Sequence, residues 1–278
     1  MKSASTTSSG FVPAVPWSAL SHFTSYENMC CLEFMNSFTK GEELVLDTLS
    51  YELGKKNIPV IGSSAGLSDF KEQSLVSLNG DVFVNTCVFV LIKNLKGKIY
   101  TYKENLFKET GKSVVTTDVD CDERIIYELN DKPAADILAD KLKVSLDLLP
   151  DYLKSHPLGR TIGNELYITE TGKIHEDGSV FCYSQVYNNT KLSILEMDNI
   201  QETWKKTVAN VKPLVQKTSF MFVVNCFLRA NLFKDLNCYN DFWNTLNSIC
   251  PSYMGVSGFG EQLNTVNLNQ SMILLIFE

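Results

Sequence analysis

Apolar residues along this chain recur at two spacings, and their alternation sets out the elements. MCCLEFM (29–35) is a run apolar enough for a buried strand. Val45, Leu46, Leu49 and Leu53 then fall on one side of a helix, entered through Thr39-Lys40-Gly41-Glu42, whose ends have the capping-box spacing. IPVI (58–61) reads as a short buried strand that runs into a small-residue loop, Gly62-Ser63-Ser64-Ala65-Gly66. SLVSL and DVFVNTCVFVLI flank Asn79-Gly80 and predict a hairpin, because a type I′ turn needs positive φ at both central residues.

A second unit begins near residue 112. VVTTDV and RIIYEL read as strands, and Asn130-Asp131 marks a turn after them. Pro133 falls in the first turn of a helix with Ala134, Ile137, Leu138 and Leu142 inward. LDLLPDYLKSHPLG follows, broken by Pro150 and Pro157. ELYITET, DGSVFCYSQV and KLSILEM make a β-rich stretch with turns at 176–178 and 188–189. Asp198 to Gln201 offers a second capping box, before Ile200, Trp204, Val208 and Val211 at helical spacing. FMFVVNCFL (220–228) predicts a buried strand, DFWNTLNSI (241–249) a short helix and SMILLIF (271–277) a closing strand. The irregular order of strands, hairpins and helices argues for an α/β chain of the mixed α+β kind. Helices pack on mixed, largely antiparallel sheets in two units of related size. The expected division is a tail or linker over 1–28, one module over 29–111 and another over 112–278.

Charge and cysteine usage narrow the functional classes. The 278 residues carry 25 Lys and Arg against 32 Asp and Glu, a net charge of −7. An acidic chain without basic clusters repels phosphate, which argues against nucleic acid and anionic membranes as partners. No run approaches the roughly 20 apolar residues of a membrane span, and the N-terminus lacks the apolar core of a secretory signal. Apart from adjacent Cys30 and Cys31, the eight cysteines are scattered without CxxC or zinc spacing, which fits a reducing cytoplasm. No cofactor or metal is implied.

Four motifs bear on chemistry. Gly62-Ser63-Ser64-Ala65-Gly66 fits the G-x-S-x-G nucleophile elbow, with Ser64 as nucleophile and His156 or His175 as its downstream base. It reads equally as a tight run of small residues permitting close backbone approach, and LSDFKEQSLVSLNG after it shows no convincing amphipathic helix. Arg160, beside His156, is of a type that grips carboxylates in bidentate fashion or forms a surface ion pair. Arg229 follows the most apolar strand, either lining a pocket at the strand end or meeting water there. Glu261, after Gly258-Phe259-Gly260, is suited to accept an ammonium or to cap a turn.

The helix EELVLDTL, then IPVIGSSAG and the hairpin VFVNTCVFVLI, resemble the later part of a FIST N module. DERIIYELNDKPAADILA, SHPLG, GNELYI, EDGSVFCYS, NCFLR, GVSGFGEQ and LNQSMILLIF resemble FIST C, in the same order. The resemblance implies a cytoplasmic, non-enzymatic bacterial sensory protein. Its ligand would be a small molecule such as an amino acid, and its readout a histidine kinase or chemoreceptor. It carries over Cys226, Arg229, Gly260, Glu261 and Asn269 as ligand-site residues. On that reading Arg229 or Arg160 holds a carboxylate, while Glu261 and Asn269 bind an amine or amide. Three departures stand out: a shorter N-terminal module, Leu67 where an acid is expected, and Tyr167-Ile168-Thr169 where relatives carry an arginine. A serine hydrolase built on Ser64 and a non-binding interaction scaffold are the alternatives.

Overall fold

Met29–Asn36 is buried along almost its whole length, which explains why apolar residues fill consecutive positions on either side of Glu33 instead of alternating. In the computed structural model it runs parallel to Val60–Ala65 and antiparallel to Thr86–Lys93. Residues 4–7, 10–12, 20–21, 23–37, 39–67 and 74–278 are described. Within the expected tail, Ala4–Thr7 and Gly10–Val12 are paired strands. Residues 13–19, and the 68–73 stretch that reads without an amphipathic helix, lie outside the described residues.

The chain divides into two units. The first comprises Met1–Glu104, Trp204–Asn267 and Ser271–Glu278; the second comprises Asn105–Thr203 with Leu268–Gln270. In the first unit the Met29–Asn36 strand lies inside a seven-stranded sheet that ends in Glu261–Leu263 and Val266–Leu268. Helix Glu42–Gly54 covers it, packing Val45, Leu46, Leu49 and Leu53 on Met29, Cys31, Met35 and Val60. Gly41, not Thr39, occupies that helix's cap position, and no side chain caps it. The Thr39 hydroxyl instead accepts from the Gly41 amide at 3.3 Å, so the spacing was that of a turn. The small-residue segment is also not a loop: Val60–Ala65 is regular strand through Ser63 and Ser64. The hairpin forms as expected between Val76–Leu78 and Asp81–Phe83, with Asn79 at φ 56° and Gly80 at φ 92°. Its second run breaks at Asn85 (φ 48°), so Thr86–Lys93 is a separate strand.

A second sheet of the same unit has the order Tyr253–Gly258, Phe220–Cys226, Ser271–Phe277, Ile99–Asn105. Tyr253–Gly258 is its edge strand, parallel to its neighbour. Phe220–Cys226 passes directly into helix Phe227–Asp235, which is followed by helix Tyr239–Ile249. Trp204, Phe233 and Phe242 lock these helices together with ring centroids 4.8 to 5.8 Å apart, contacts worth about 0.5–1.5 kcal/mol each beyond their buried area. Trp204 comes from helix Ile200–Val211, whose cap is Asn199: its Oδ1 accepts from the Glu202 amide at 3.0 Å. The capping spacing is therefore one residue later than Asp198–Gln201.

The second unit is an antiparallel sheet with the strand path Glu165–Thr169, Leu158–Ile162, Lys191–Met197, Phe107–Asp120, Ile125–Leu129, Val180–Cys182, Thr171–Ile174. The two strands at the ends of this path are separated in sequence by Glu170 alone, so the sheet curls until its edges meet there. Asn130 and Asp131 both have positive φ in the expected turn. Only Val180–Cys182 of the DGSVFCYSQV stretch is strand. Helices Ala134–Leu142 and Leu149–Ser155 pack on the sheet, with Leu138, Leu149 and Leu153 in one core with Val114, Ile126, Leu158 and Ile194. Pro150 opens the second helix instead of breaking one, its missing amide falling where helical amides are unpaired anyway. The class is α+β, with mixed sheets in the first unit and an antiparallel one in the second.

Candidate functional site

Because the Phe220–Cys226 strand turns straight into a helix, Asn225 and Arg229 stand four residues apart across the junction. Arg229 Nε donates to Asn225 Oδ1 at 3.1 Å, and Arg229 Nη2 donates to Glu104 Oε1 at 2.6 Å. Glu104 also accepts from the Thr207 hydroxyl. Arg229 thus does not surface at the strand end. It is fully buried, and a buried guanidinium is tolerated because carboxylate and amide acceptors replace its water. Its partner Glu104 gave no sequence signal.

Glu261 lies beside this pair. Its Oε2 accepts from the Ser271 amide at 3.1 Å, and the Cys226 thiol and the Arg229 charge also favour its ionised form. Burial outweighs them and pushes its carboxyl up to about 8. Cys226, Arg229 and Glu261 are therefore brought together. Gly260 stands next to them at φ 153°, and a Cβ there would lie 3.0 Å from Asn267 Oδ1. Its carbonyl accepts from the Ser64 amide at 3.0 Å. Ser64 is itself buried, and its hydroxyl accepts from Gln262 Nε2 at 2.9 Å. An exposed nucleophile on a sharp strand-to-helix turn is what the elbow requires, and Ser64 sits instead within a doubly paired strand. Of the histidines proposed as its base, His175 meets Ser179 Oγ at 2.9 Å and His156 meets Ser155 Oγ at 3.0 Å.

Asn225, itself buried, also borders an open cleft. With Tyr239, Phe242 and Trp243 of the last helix, and Tyr253, Gly255 and Ser257 of the edge strand, it lines this cleft of about 180 Å³. Trp243 forms near-parallel ring pairs with both Tyr239 and Tyr253, with centroids 6.2 Å apart and planes within 17°. No lining side chain carries a charge. Sequence reading missed this cleft, although the Tyr239–Trp243 spacing placed two rings on one helical face.

The remaining candidates belong to the second unit. Asn269 Oδ1 accepts from the Glu170 amide at 3.1 Å, and Gln270 Nε2 donates to Glu170 Oε2 at 3.2 Å. Burial raises the Glu170 carboxyl to about 8. Arg160 is partly exposed on Leu158–Ile162, its guanidinium 5.6 Å from the centre of the Tyr187 ring.

The FIST N domain matches residues 3–132 and the FIST C domain matches residues 134–264. Paired modules of this kind are associated with sensing in signal transduction. The chain belongs to the FIST family. No curated protein and no solved structure matches it. Among the described residues no helix is long and apolar enough to cross a membrane, and none of the eight cysteines is disulfide-bonded.

Proposed function

We propose that this chain is a cytoplasmic, non-enzymatic sensor that binds a small molecule in the cleft beside Asn225 and signals through a partner such as a histidine kinase or chemoreceptor. One observation carries the reading: the residue on the wall of an open cleft is hydrogen-bonded to Arg229, which is paired with Glu104 in the interior. A ligand that engages Asn225 alters the setting of Arg229, and through it the helix Phe227–Asp235. If the ligand prefers one arrangement, it shifts the population presented to the partner. Arg229, Glu261, Cys226 and Gly260 act behind the cleft, setting its wall and its field. Asn269 and Arg160 lie outside this site. Amino acids, the class the family resemblance implies, are included among the ligands to test.

The test is a thermal-shift screen of wild type and Trp243→Ala against amino acids, dipeptides, small carboxylates and nucleosides. A ligand at a hundredfold excess over its dissociation constant stabilises the native state by about 2.7 kcal/mol. The reading expects a selective rise in melting midpoint that Trp243→Ala removes. A rise that Trp243→Ala leaves intact places the site elsewhere, and a flat screen on folded protein favours an interaction scaffold.

A further inference from the structure

We infer that the cleft takes a flat heteroaromatic ring presenting a hydrogen-bond donor beside an acceptor, the edge of a purine base. This rests on the cleft being the sensory site and narrows what it senses.

Three features point the same way. The Trp243 ring lies within 17° of parallel to the Tyr239 ring and to the Tyr253 ring beside the cleft, an aromatic wall on which another flat ring can stack. Stacking of this kind accepts any base, so a second feature must select among them. The Asn225 amide supplies it. Its Nδ2 donates one hydrogen to the Cys226 carbonyl at 3.2 Å, and its Oδ1 accepts one from Arg229 Nε at 3.1 Å. A carboxamide has two hydrogens and two lone pairs, so the amide keeps the capacity for one further donated and one further accepted bond. That pair matches the adjacent amino group and ring nitrogen of adenine, the edge that asparagine reads in a bidentate way. Arg229 can only donate, so it fixes which end of the amide is oxygen and gives the pattern one orientation.

Size and charge narrow the ligand further. About 180 Å³ is below the roughly 300–1,000 Å³ of pockets that enclose drug-sized ligands, and it suits a bicyclic ring better than a whole nucleotide. With no charged side chain in the lining, neither a phosphate nor the two ends of a free amino acid finds a counter-ion there. The ring carries the recognition, and a phosphate on the ligand adds nothing to it.

The experiment titrates the full chain with adenine, adenosine, AMP, indole and single amino acids, read by calorimetry and by tryptophan fluorescence. The proposal expects saturable binding of adenine and adenosine with a change in tryptophan emission, and AMP no tighter than adenosine. Trp243→Ala weakens adenine by about tenfold or more through the lost stacking. Asn225→Asp keeps the acceptor for Arg229 but removes the donor, and weakens adenine by about tenfold while leaving indole unchanged. Circular dichroism and melting curves confirm that both variants are folded. Indole binding as tightly as adenine overturns the edge recognition. Amino acids that bind through Trp243 while adenine does not overturn the purine assignment and leave the sensory reading standing. Adenine binding that both variants leave unchanged overturns the site.

Discussion

Arg229 and Glu104 meet at 2.6 Å with side chains no more than 2% exposed, although 125 residues separate them in the sequence. The pair ties the strand Ile99–Asn105 to the helix that follows Phe220–Cys226. Removing one partner leaves the other as an uncompensated buried charge, so Arg229→Ala is expected to cost about 3–5 kcal/mol. Glu104→Leu with Arg229→Met removes both charges and should cost less than the sum of the single changes. Urea unfolding of the three variants measures this, and simple additivity would contradict the pairing.

Stability should fall as pH rises from about 4.5 to about 8. Burial raises Glu170 and Glu261 to about 8 from an ordinary 4.5, and raises Glu33 in the same direction. Between those values the native state holds protons that the unfolded chain releases. The stabilisation is complete below the unfolded value and is lost as pH rises through the folded one, with a slope of at most about 1.4 kcal/mol per pH unit for each group. Glu261→Gln and Glu170→Gln mimic the protonated acid. Each should flatten the profile and raise the melting midpoint at pH 8, while profiles parallel to wild type would contradict the assignment.

Gly62 has no room for a side chain. An added Cβ would lie 2.0 Å from Glu33 Oε1 and 2.5 Å from the Glu33 carbonyl oxygen, and the latter is backbone that cannot swing away. Gly62→Ala should therefore lose at least about 2–3 kcal/mol, at the upper end of ordinary overpacking. Gly54→Ala, with nothing within 4 Å, is the control and should not destabilise. Equal midpoints for the two variants would show that the strands are less closely paired than described.

Ser64 should not react with a fluorophosphonate probe in the folded protein. Its hydroxyl is buried and bonded to Gln262. Labelling at Ser64, found by mass spectrometry and abolished by Ser64→Ala, would restore the hydrolase alternative.

Much of the fold was legible because local chemistry and tertiary packing agree. Asn79-Gly80 demands positive φ and receives it, and the fully apolar 272–277 run could bury its side chains only as an interior strand. The Gly62–Ala65 stretch misled because small residues are commonest in loops. Here they are required by close neighbours, Glu33 against Gly62 and Gln262 against Ser64, which no local pattern reveals. The candidate site was half visible. Arg229 and Glu261 stood out as charges in apolar surroundings, and they do converge. Glu104 did not, because KENL looks like any exposed segment until the fold brings it to Arg229. The cleft was hidden for a related reason: Tyr239 and Trp243 share a helix, but Tyr253 and Asn225 join them only through sheet pairing.

The central claim is that occupancy of the cleft is felt through Asn225 by the Arg229 helix. Amide hydrogen exchange, with and without the compound giving the largest shift in the thermal screen, tests it most directly. The account predicts slower exchange in Tyr253–Gly258 and Phe227–Asp235, with helix Ala134–Leu142 of the other unit unchanged. Protection that appears in Ala134–Leu142 while Tyr253–Gly258 and Phe227–Asp235 exchange as before would contradict it.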